Sequence, residues 1–214
     1  MKKTIYILFI FIVTIAIISI SGLDIKISSL LYSKVGGWIY SPLFLWSLLY
    51  RYGQSIPNII GIVSLLIFIF FLITKKSRAT RQKALFALLV FLLGPGLIVQ
   101  TLKVTWGRPR PVESTIYGGT MEFRTPFDPN FKLAGNTNNG NSFPSGHAAA
   151  GFYTMVLYFI FRKKWILALT LTYGILMGAA RIVQGGHFLS DVVSSFFIVY
   201  ICIELFAFLV KKQE

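Results

Sequence analysis

The stretch IPNIIGIVSLLIFIFFLIT, Ile56–Thr74, decides the class of fold. It contains no ionisable side chain, and an apolar run of about 18 residues or more is long enough to cross a membrane as a helix. The next segment, KKSRATRQK (Lys75–Lys83), carries five basic side chains. A membrane-spanning helix that ends at a basic, solvated turn is therefore predicted here.

Five further apolar blocks have the same character. The sequence predicts six transmembrane helices, near 4–22, 56–74, 84–102, 146–161, 165–183 and 188–210. The fourth block is short, and we expect it to borrow residues on either side. With 55% hydrophobic residues and a mean hydropathy of +0.71, the chain is too apolar for an ordinary soluble domain. We predict an all-α, polytopic membrane protein that forms a single domain over residues 1–214.

The net charge of +14 is distributed in a way that predicts the orientation. Twelve of the 21 basic residues fall at alternate ends of the six blocks: Lys2, Lys3, Lys75, Lys76, Arg78, Arg81, Lys83, Arg162, Lys163, Lys164, Lys211 and Lys212. The positive-inside rule makes that side cytoplasmic, with both termini inside. A nucleic-acid-binding protein would instead gather its charge on one solvated face, so no nucleic-acid partner is expected.

Two features of the apolar blocks have alternatives. The first block could be a signal peptide, but its apolar run exceeds the roughly 7–15 residues of a typical signal core. Cleavage would leave the later topology unchanged. Cys202, the only cysteine, permits no internal disulfide and is expected to be a small buried apolar residue.

Ionisable residues gather at the opposite, outer ends of the blocks. Three outer segments are predicted, at about 23–55, 103–145 and 184–187. At or beside them lie both histidines and several charged residues, namely His147, His187, Lys103, Arg108, Arg110, Arg181 and Asp191. Ionisable residues at such positions are candidates for function.

The motif PSGH, Pro144–His147, predicts an anion site. Pro144 restricts the turn, Ser145 is a favourable N-cap, and Gly146 allows a ligand to approach the backbone. Backbone N–H groups at a helix start bind anions. His147, in the first turn, would then face the anion.

The remaining charges extend this prediction. His187 and Asp191 are four residues apart, which would place them on one helix face, where the carboxylate could fix the imidazole tautomer. Lys103 and Arg110 are two helical turns apart, although Gly107 and Pro109 make an unbroken helix doubtful. Each cation alone could be snorkelling to the interface. Together the groups indicate phosphoryl transfer through a phosphohistidine, whereas a zinc site would need about three or four ligands.

Three motifs at this face resemble the signature of the type 2 phosphatidic acid phosphatase family, the membrane relatives of vanadium haloperoxidases. Lys103 followed by Arg110-Pro111 resembles the first motif, Pro144 to His147 the second, and Arg181 with His187 and Asp191 the third. The resemblance covers about residues 84–210. Within the family, GPGLIVQTLKVTWGRPRP and QGGHFLSDVV look most like the bacterial lipid A phosphatases.

The resemblance implies a role for each site residue. His187 would be the nucleophile, Asp191 would orient it, and His147 would protonate the leaving alkoxide. The phosphate would be held by Lys103, Arg110, Arg181, Ser145 and Gly146. It also implies six helices in a bacterial inner membrane, a periplasmic active site, and no metal or other cofactor.

The natural lipid is left open by the sequence. Lipid A leads, with undecaprenyl pyrophosphate, phosphatidylglycerol phosphate and transfer to a second lipid as alternatives. A protein of another class, a transporter or non-catalytic binder of anionic lipid, could use the same cations. The outer segment 112–142 is expected to cap the pocket, and residues 41–52 could lie along the membrane surface. The sequence predicts no oligomeric state.

Overall fold

The computed structural model describes residues 2–131 and 140–211, and these ranges are mostly helical. The helices are α1 (Lys2–Ile20), α2 (Leu23–Leu31), α3 (Phe44–Tyr52), α4 (Ser55–Thr74), α5 (Arg78–Phe91), α6 (Val99–Thr105), α7 (Gly146–Tyr153), α8 (Val156–Phe161), α9 (Lys164–Val183), α10 (Leu189–Phe206) and α11 (Phe208–Lys211). Two short strands, β1 (Tyr32–Ser33) and β2 (Gly37–Trp38), pair antiparallel between α2 and α3. Most of the Asn- and Gly-rich stretch in the predicted cap, residues 134–139, lies outside the described residues.

Five helical runs in the described ranges are long and apolar enough to cross a membrane. They are Lys3–Ile20, Phe44–Thr74, Arg78–Thr105, Lys164–Val183 and Leu189–Phe206. Each matches a predicted block, and the second is longer than predicted because Gly53 and Gln54 keep helical dihedrals between α3 and α4. The structure is therefore that of a multi-pass helical membrane protein.

The fourth predicted block forms the helix pair α7–α8, which stays within residues 146–161 and does not extend into the flanking sequence. Gly146–Phe161 is apolar but would extend only about 24 Å at about 1.5 Å per residue, against a hydrocarbon core of about 30 Å. The prediction that it borrows flanking residues is wrong. Ser145 caps its start, and Arg162 ends it in the left-handed conformation with φ 56°.

The third block bends where its sequence contains a proline. Pro95 has no backbone N–H to donate, and the backbone widens to π-helical geometry over Leu92–Ile98. Helix α6 then ends at Thr105, two residues before Gly107, which has φ +67°. Lys103 and Arg110 therefore do not share one helix, as the intervening glycine and proline suggested.

The short pair α7–α8 occupies the interior, where small residues allow close helix contacts. A Cβ on Gly151 of α7 would lie 3.0 Å from the Cα of Gly174 on α9. A Cβ on Gly178 would lie 2.4 Å from Val192 of α10. Small residues at such crossings are typical of packing between membrane helices. Cys202 is buried and free in this core, as predicted.

Backbone hydrogen bonds join the loops that carry the three motifs. The Ser142 N–H donates to the Arg108 carbonyl at 2.9 Å, and the Val112 N–H donates to the Gly185 carbonyl at 3.0 Å. The Ser145 N–H donates to the Asp191 carbonyl at 3.3 Å. The segments that carry the three motifs are thereby held against one another.

Candidate active site

The start of α7 forms one wall of the site. Ser145 is the N-cap, and its hydroxyl accepts from the Ala148 N–H at 3.4 Å, which confirms the predicted cap. Gly146 follows with space beside it: a Cβ there would lie 3.9 Å from Lys103 Nζ and 3.7 Å from Gln100 Nε2. The lysine head is therefore beside the glycine at which a bound anion was predicted.

Two guanidinium groups complete a cationic wall. The charges of Arg110 and Arg181 both act on Lys103. The Nε atoms of Arg110 and Arg181 are buried, and neither has a hydrogen-bond partner among the described residues. A buried donor without a partner is costly, and the oxygens of a phosphate would satisfy both.

Arg181 is fixed by its surroundings. Its Nη1 donates to Gln184 Oε1 at 2.7 Å, and its guanidinium lies 4.6 Å from the ring centroid of Tyr50. A Cβ on Gly186 would be 2.2 Å from Arg181 Nη2, so the guanidinium packs directly on the backbone of that glycine. The glycine before His187 thus leaves room for the cation.

His187 is buried beside these cations, and only 2% of the residue is exposed. Its Nδ1 is 2.6 Å from the Ser142 carbonyl oxygen and 3.6 Å from Asp191 Oδ2. Because a carbonyl oxygen can only accept, Nδ1 carries the proton in the neutral ring, and Nε2 keeps a free lone pair. Burial lowers the pKa of His187 to about 4, although Asp191 opposes the shift.

The predicted helical relation of His187 to Asp191 is wrong in detail. Helix α10 begins at Leu189, so His187 lies in the preceding turn rather than on the helix face. The Asp191 carboxylate accepts from the Phe188 N–H at 2.8 Å, which caps the start of the helix. The Ser142 carbonyl oxygen is therefore closer to the imidazole Nδ1 than the Asp191 carboxylate is, at 2.6 Å against 3.6 Å.

Asp191 belongs to a buried group that we call the Arg108 network, formed by Arg108, Asp24, Asp191, Ser142 and Ser190. Arg108 is fully buried and donates to Asp191, to Asp24 Oδ2 at 2.8 Å and to Ser190 Oγ at 2.7 Å. Asp24 also accepts from the Ser190 N–H at 2.8 Å, and Asp191 accepts from Ser142 Oγ at 2.6 Å. Ser142 and Asp191 are the two neighbours of the imidazole, so the network fixes its orientation.

His147 lies beside Tyr50, the residue that also packs on Arg181. It is half-buried, and Arg181, His187 and Lys103 are close enough to interact with it electrostatically. Its ring stacks on Tyr50 with centroids 5.2 Å apart, and Nε2 is 3.3 Å from the Tyr50 carbonyl oxygen. The two histidines therefore approach the same cations from different elements, His147 from α7 and His187 from the turn before α10.

Comparison with known proteins identifies the family. The model of the PAP2 superfamily matches residues 84–214, more than half of the chain. The chain belongs to the PAP2 superfamily. This confirms the family predicted from the three motifs.

Three curated relatives of this PAP2 chain carry the name lipid A 4'-phosphatase. The Francisella tularensis subsp. novicida protein is 32% identical over 173 residues, which is 78% of this chain and 76% of that protein. The Rhizobium leguminosarum protein is 40% identical over 52% of this chain and 48% of its own length, and the Rhizobium etli protein is 38% identical over 54% and 44%. No solved structure matches the chain. The PAP2 chain is thus lipid A phosphatase-like and a phosphoric monoester hydrolase.

The eight site residues predicted for this PAP2 chain lie in or beside the segments that these backbone hydrogen bonds join. Sequence motifs do not identify three further contributors, Asp24, Ser142 and Tyr50. Asp24 carried a weak signal, since it is the only acidic residue of the outer segment 23–55. Ser142 and Tyr50 contribute backbone carbonyls and a ring face, for which no sequence pattern exists.

Proposed function

We propose that this chain removes a phosphate group from lipid A at the periplasmic face of a bacterial inner membrane, through a phosphohistidine. The observation that carries the proposal is the contact between His187 Nδ1 and the Ser142 carbonyl oxygen, from which the tautomer of the imidazole follows. Its Nδ1 is held by the Ser142 carbonyl at 2.6 Å, which leaves Nε2 as an unprotonated nucleophile in a ring that Arg181 and Lys103 approach. The names of the three relatives favour lipid A as the substrate.

The chemistry would proceed in two steps. His187 Nε2 forms a bond to phosphorus while the bond from phosphorus to the lipid oxygen breaks, and His147 donates a proton to that oxygen. Water then attacks the phosphohistidine, His147 accepts its proton, and phosphate leaves. Lys103, Arg110 and Arg181, with the Ser145 hydroxyl and the Gly146 N–H, hold the three equatorial oxygens. Charge stabilisation of this kind is the largest contribution expected in phosphoryl transfer.

The proposed membrane orientation is argued from the charges at the two ends of the helices. Basic residues lie in the short connections from α4 to α5 and from α8 to α9, whereas Lys103 and Arg181 lie at the other ends of the runs that follow. The positive-inside rule then favours a cytoplasmic basic side and a periplasmic site. On this reading α7–α8, although shorter than the hydrocarbon core, is the sixth crossing of one membrane domain, and both termini are cytoplasmic.

The test compares two histidine variants on two leaving groups. Purified protein in detergent is given lipid A, phosphatidic acid and nitrophenyl phosphate, and released phosphate is measured. His187→Ala should abolish turnover of every substrate. His147→Ala should lose about 10²–10⁴-fold on the lipids, whose alkoxides need a proton, and much less on nitrophenyl phosphate.

The thermal midpoint of each variant serves as the folding control. Equal losses on all three substrates in a well-folded His147→Ala protein would contradict its role as general acid. Phosphate release from none of the substrates by the unaltered chain, despite lipid binding, would favour a non-catalytic binder. Appearance of the phosphate on a second lipid instead of in solution would indicate a phosphotransferase.

A further inference from the structure

A small polar cavity adjoins the proposed phosphate site. It has a volume of about 170 Å³, and its lining includes Gln54, Asn58, Gln100 and Gly146, with Phe91 and Pro95. Three side-chain amides therefore converge from two different helical runs, Phe44–Thr74 and Arg78–Thr105. Polar side chains within membrane-spanning runs are candidates for function, so the convergence of three amides on one cavity points to a ligand with matching polarity.

The cavity and the phosphate site meet at Gly146. Gln100 Nε2 and Lys103 Nζ lie 3.7 and 3.9 Å from the position that a Cβ of Gly146 would occupy. Gln100 makes one long hydrogen bond, from Nε2 to the Pro95 carbonyl at 3.4 Å. A group bonded to a phosphate held by Lys103 would therefore reach the Gln100 amide directly.

The position relative to His147 identifies which part of a substrate would enter. Gly146 and Ala150, one turn apart on α7, both line the cavity, and His147 is the next residue after Gly146. Gln54 follows closely after Tyr50, whose carbonyl contacts His147 Nε2. If His147 protonates the leaving oxygen, the headgroup that carries this oxygen lies on the amide side.

The lining also restricts the chemistry of that headgroup. None of the eight lining residues is charged, so the lining offers no counter-charge for a second phosphate or for an ammonium group. A primary amide offers two donors and one carbonyl acceptor, which match hydroxyl and acylamino groups. Phe91 and Pro95 supply an apolar surface beside them. These features fit the ring of a sugar.

We propose that Gln54, Asn58 and Gln100 form a subsite for an uncharged, hydroxyl-bearing sugar headgroup, and thereby select a glycolipid phosphate over a glycerol-based one. The inference rests on the proposed function, because it assigns the leaving group of the same reaction. The amides bind the sugar and take no part in phosphoryl transfer itself.

The experiment uses near-isosteric variants that remove the amides, Gln100→Met and Asn58→Leu, alone and together. kcat/KM is measured for an acylated glucosamine phosphate and for phosphatidic acid with the same acyl chains. Each single variant should lose about 3–10-fold on the glycolipid, and the double variant more. The kcat/KM for phosphatidic acid should change less than about twofold, which is the size of effect expected when only a surface contact is lost. Thr101→Val, beside Gln100 but outside the cavity lining, is the matched control.

A binding measurement separates the two proposals. The same substitutions are made in His187→Ala protein, which would not turn over, and the Kd of each lipid is determined. A Kd raised about 3–10-fold for the glycolipid alone supports the subsite even if hydrolysis of lipid A fails. Equal weakening of both lipids, or no change for the glycolipid, would overturn the subsite while leaving the phosphatase activity intact.

Discussion

Replacing Arg108 with methionine would take the guanidinium away from two buried carboxylates. The side chains of Asp24 and Asp191 are 2% and 0% exposed, and Arg108 contacts both. Removing one partner of a buried ion pair costs about 3–5 kcal/mol, because the remaining charge is left without compensation. Here two carboxylates would be left close together, so we expect the upper part of that range.

Replacing Asp24 with asparagine should cost less than replacing Arg108. The new amide would keep an oxygen that can accept from Ser190, while Arg108 would keep Asp191 and the Arg124 carbonyl at 2.8 Å. The Ser190 hydroxyl, which donates to Asp24 Oδ2 at 2.6 Å, can instead accept from the new amide, so the net loss is mainly the charged hydrogen bond from Arg108, about 1.5–3 kcal/mol. For chains of this length the thermal midpoint falls by about 2–4 °C for each kcal/mol of unfolding free energy that is lost. Arg108→Met should thus lower the thermal midpoint by about 6–20 °C, and Asp24→Asn by about 3–12 °C.

The assay follows the exposure of Cys202 with a thiol-reactive dye during heating in detergent. Cys202 is free and buried, so its reaction reports unfolding of the core. Lys3→Met is the control, because it removes an ion pair of 2.6 Å whose lysine is 62% exposed and should cost at most about 1 kcal/mol. An Arg108→Met midpoint no lower than that of Lys3→Met would refute the reasoning. A larger loss for Asp24→Asn than for Arg108→Met would refute the ranking.

Two further predictions concern pH and orientation. Because burial lowers the pKa of His187 from 6.5 to about 4, kcat/KM should persist below pH 6.5 once substrate ionisation is accounted for, and an acid limb at 6.5 would contradict a neutral nucleophile. The same shift stabilises the fold fully above pH 6.5, and this contribution should be lost as the pH falls towards 4, since only the unfolded chain takes up the proton in that range. In a Cys202→Ala background, Thr115→Cys should react with an impermeant thiol reagent added outside intact spheroplasts, whereas Lys76→Cys should react only after lysis. The reverse pattern would contradict the periplasmic assignment.

Features that depend on local sequence could be predicted. The block Ile56–Thr74 is a long apolar run without an ionisable side chain, so its length and composition alone predicted a membrane-spanning helix. Ser145 caps α7 because a short hydroxyl side chain can reach the backbone N–H of its own first turn. Gly107 and Pro109 predicted a break between Lys103 and Arg110, and α6 ends before both. In each case the cause lies within a few residues of its effect.

Features that depend on distant segments could not be predicted from the sequence. His187 and Asp191 have the spacing of a helical pair, yet the Asp191 carboxylate accepts from the Phe188 N–H and the helix begins after His187. The partner of the imidazole is a carbonyl 45 residues away in the chain. Asp24 meets Ser190 across 166 residues. No periodicity encodes such contacts, because the packing of whole helices determines them.

The family match begins at residue 84, yet residues before that position also contact the site. Asp24 bonds Arg108, Tyr50 packs on both Arg181 and His147, and a Cβ on Gly185 would be 2.1 Å from the ring of Trp38. The Francisella alignment spans 78% of the chain, more than residues 84–214 contain, so part of it lies in this segment. The groups proposed to handle the phosphate come from the matched region, whereas Gln54 and Asn58 of the proposed sugar subsite come from the preceding one. Phosphate handling and the proposed sugar selection thus draw on different parts of the chain.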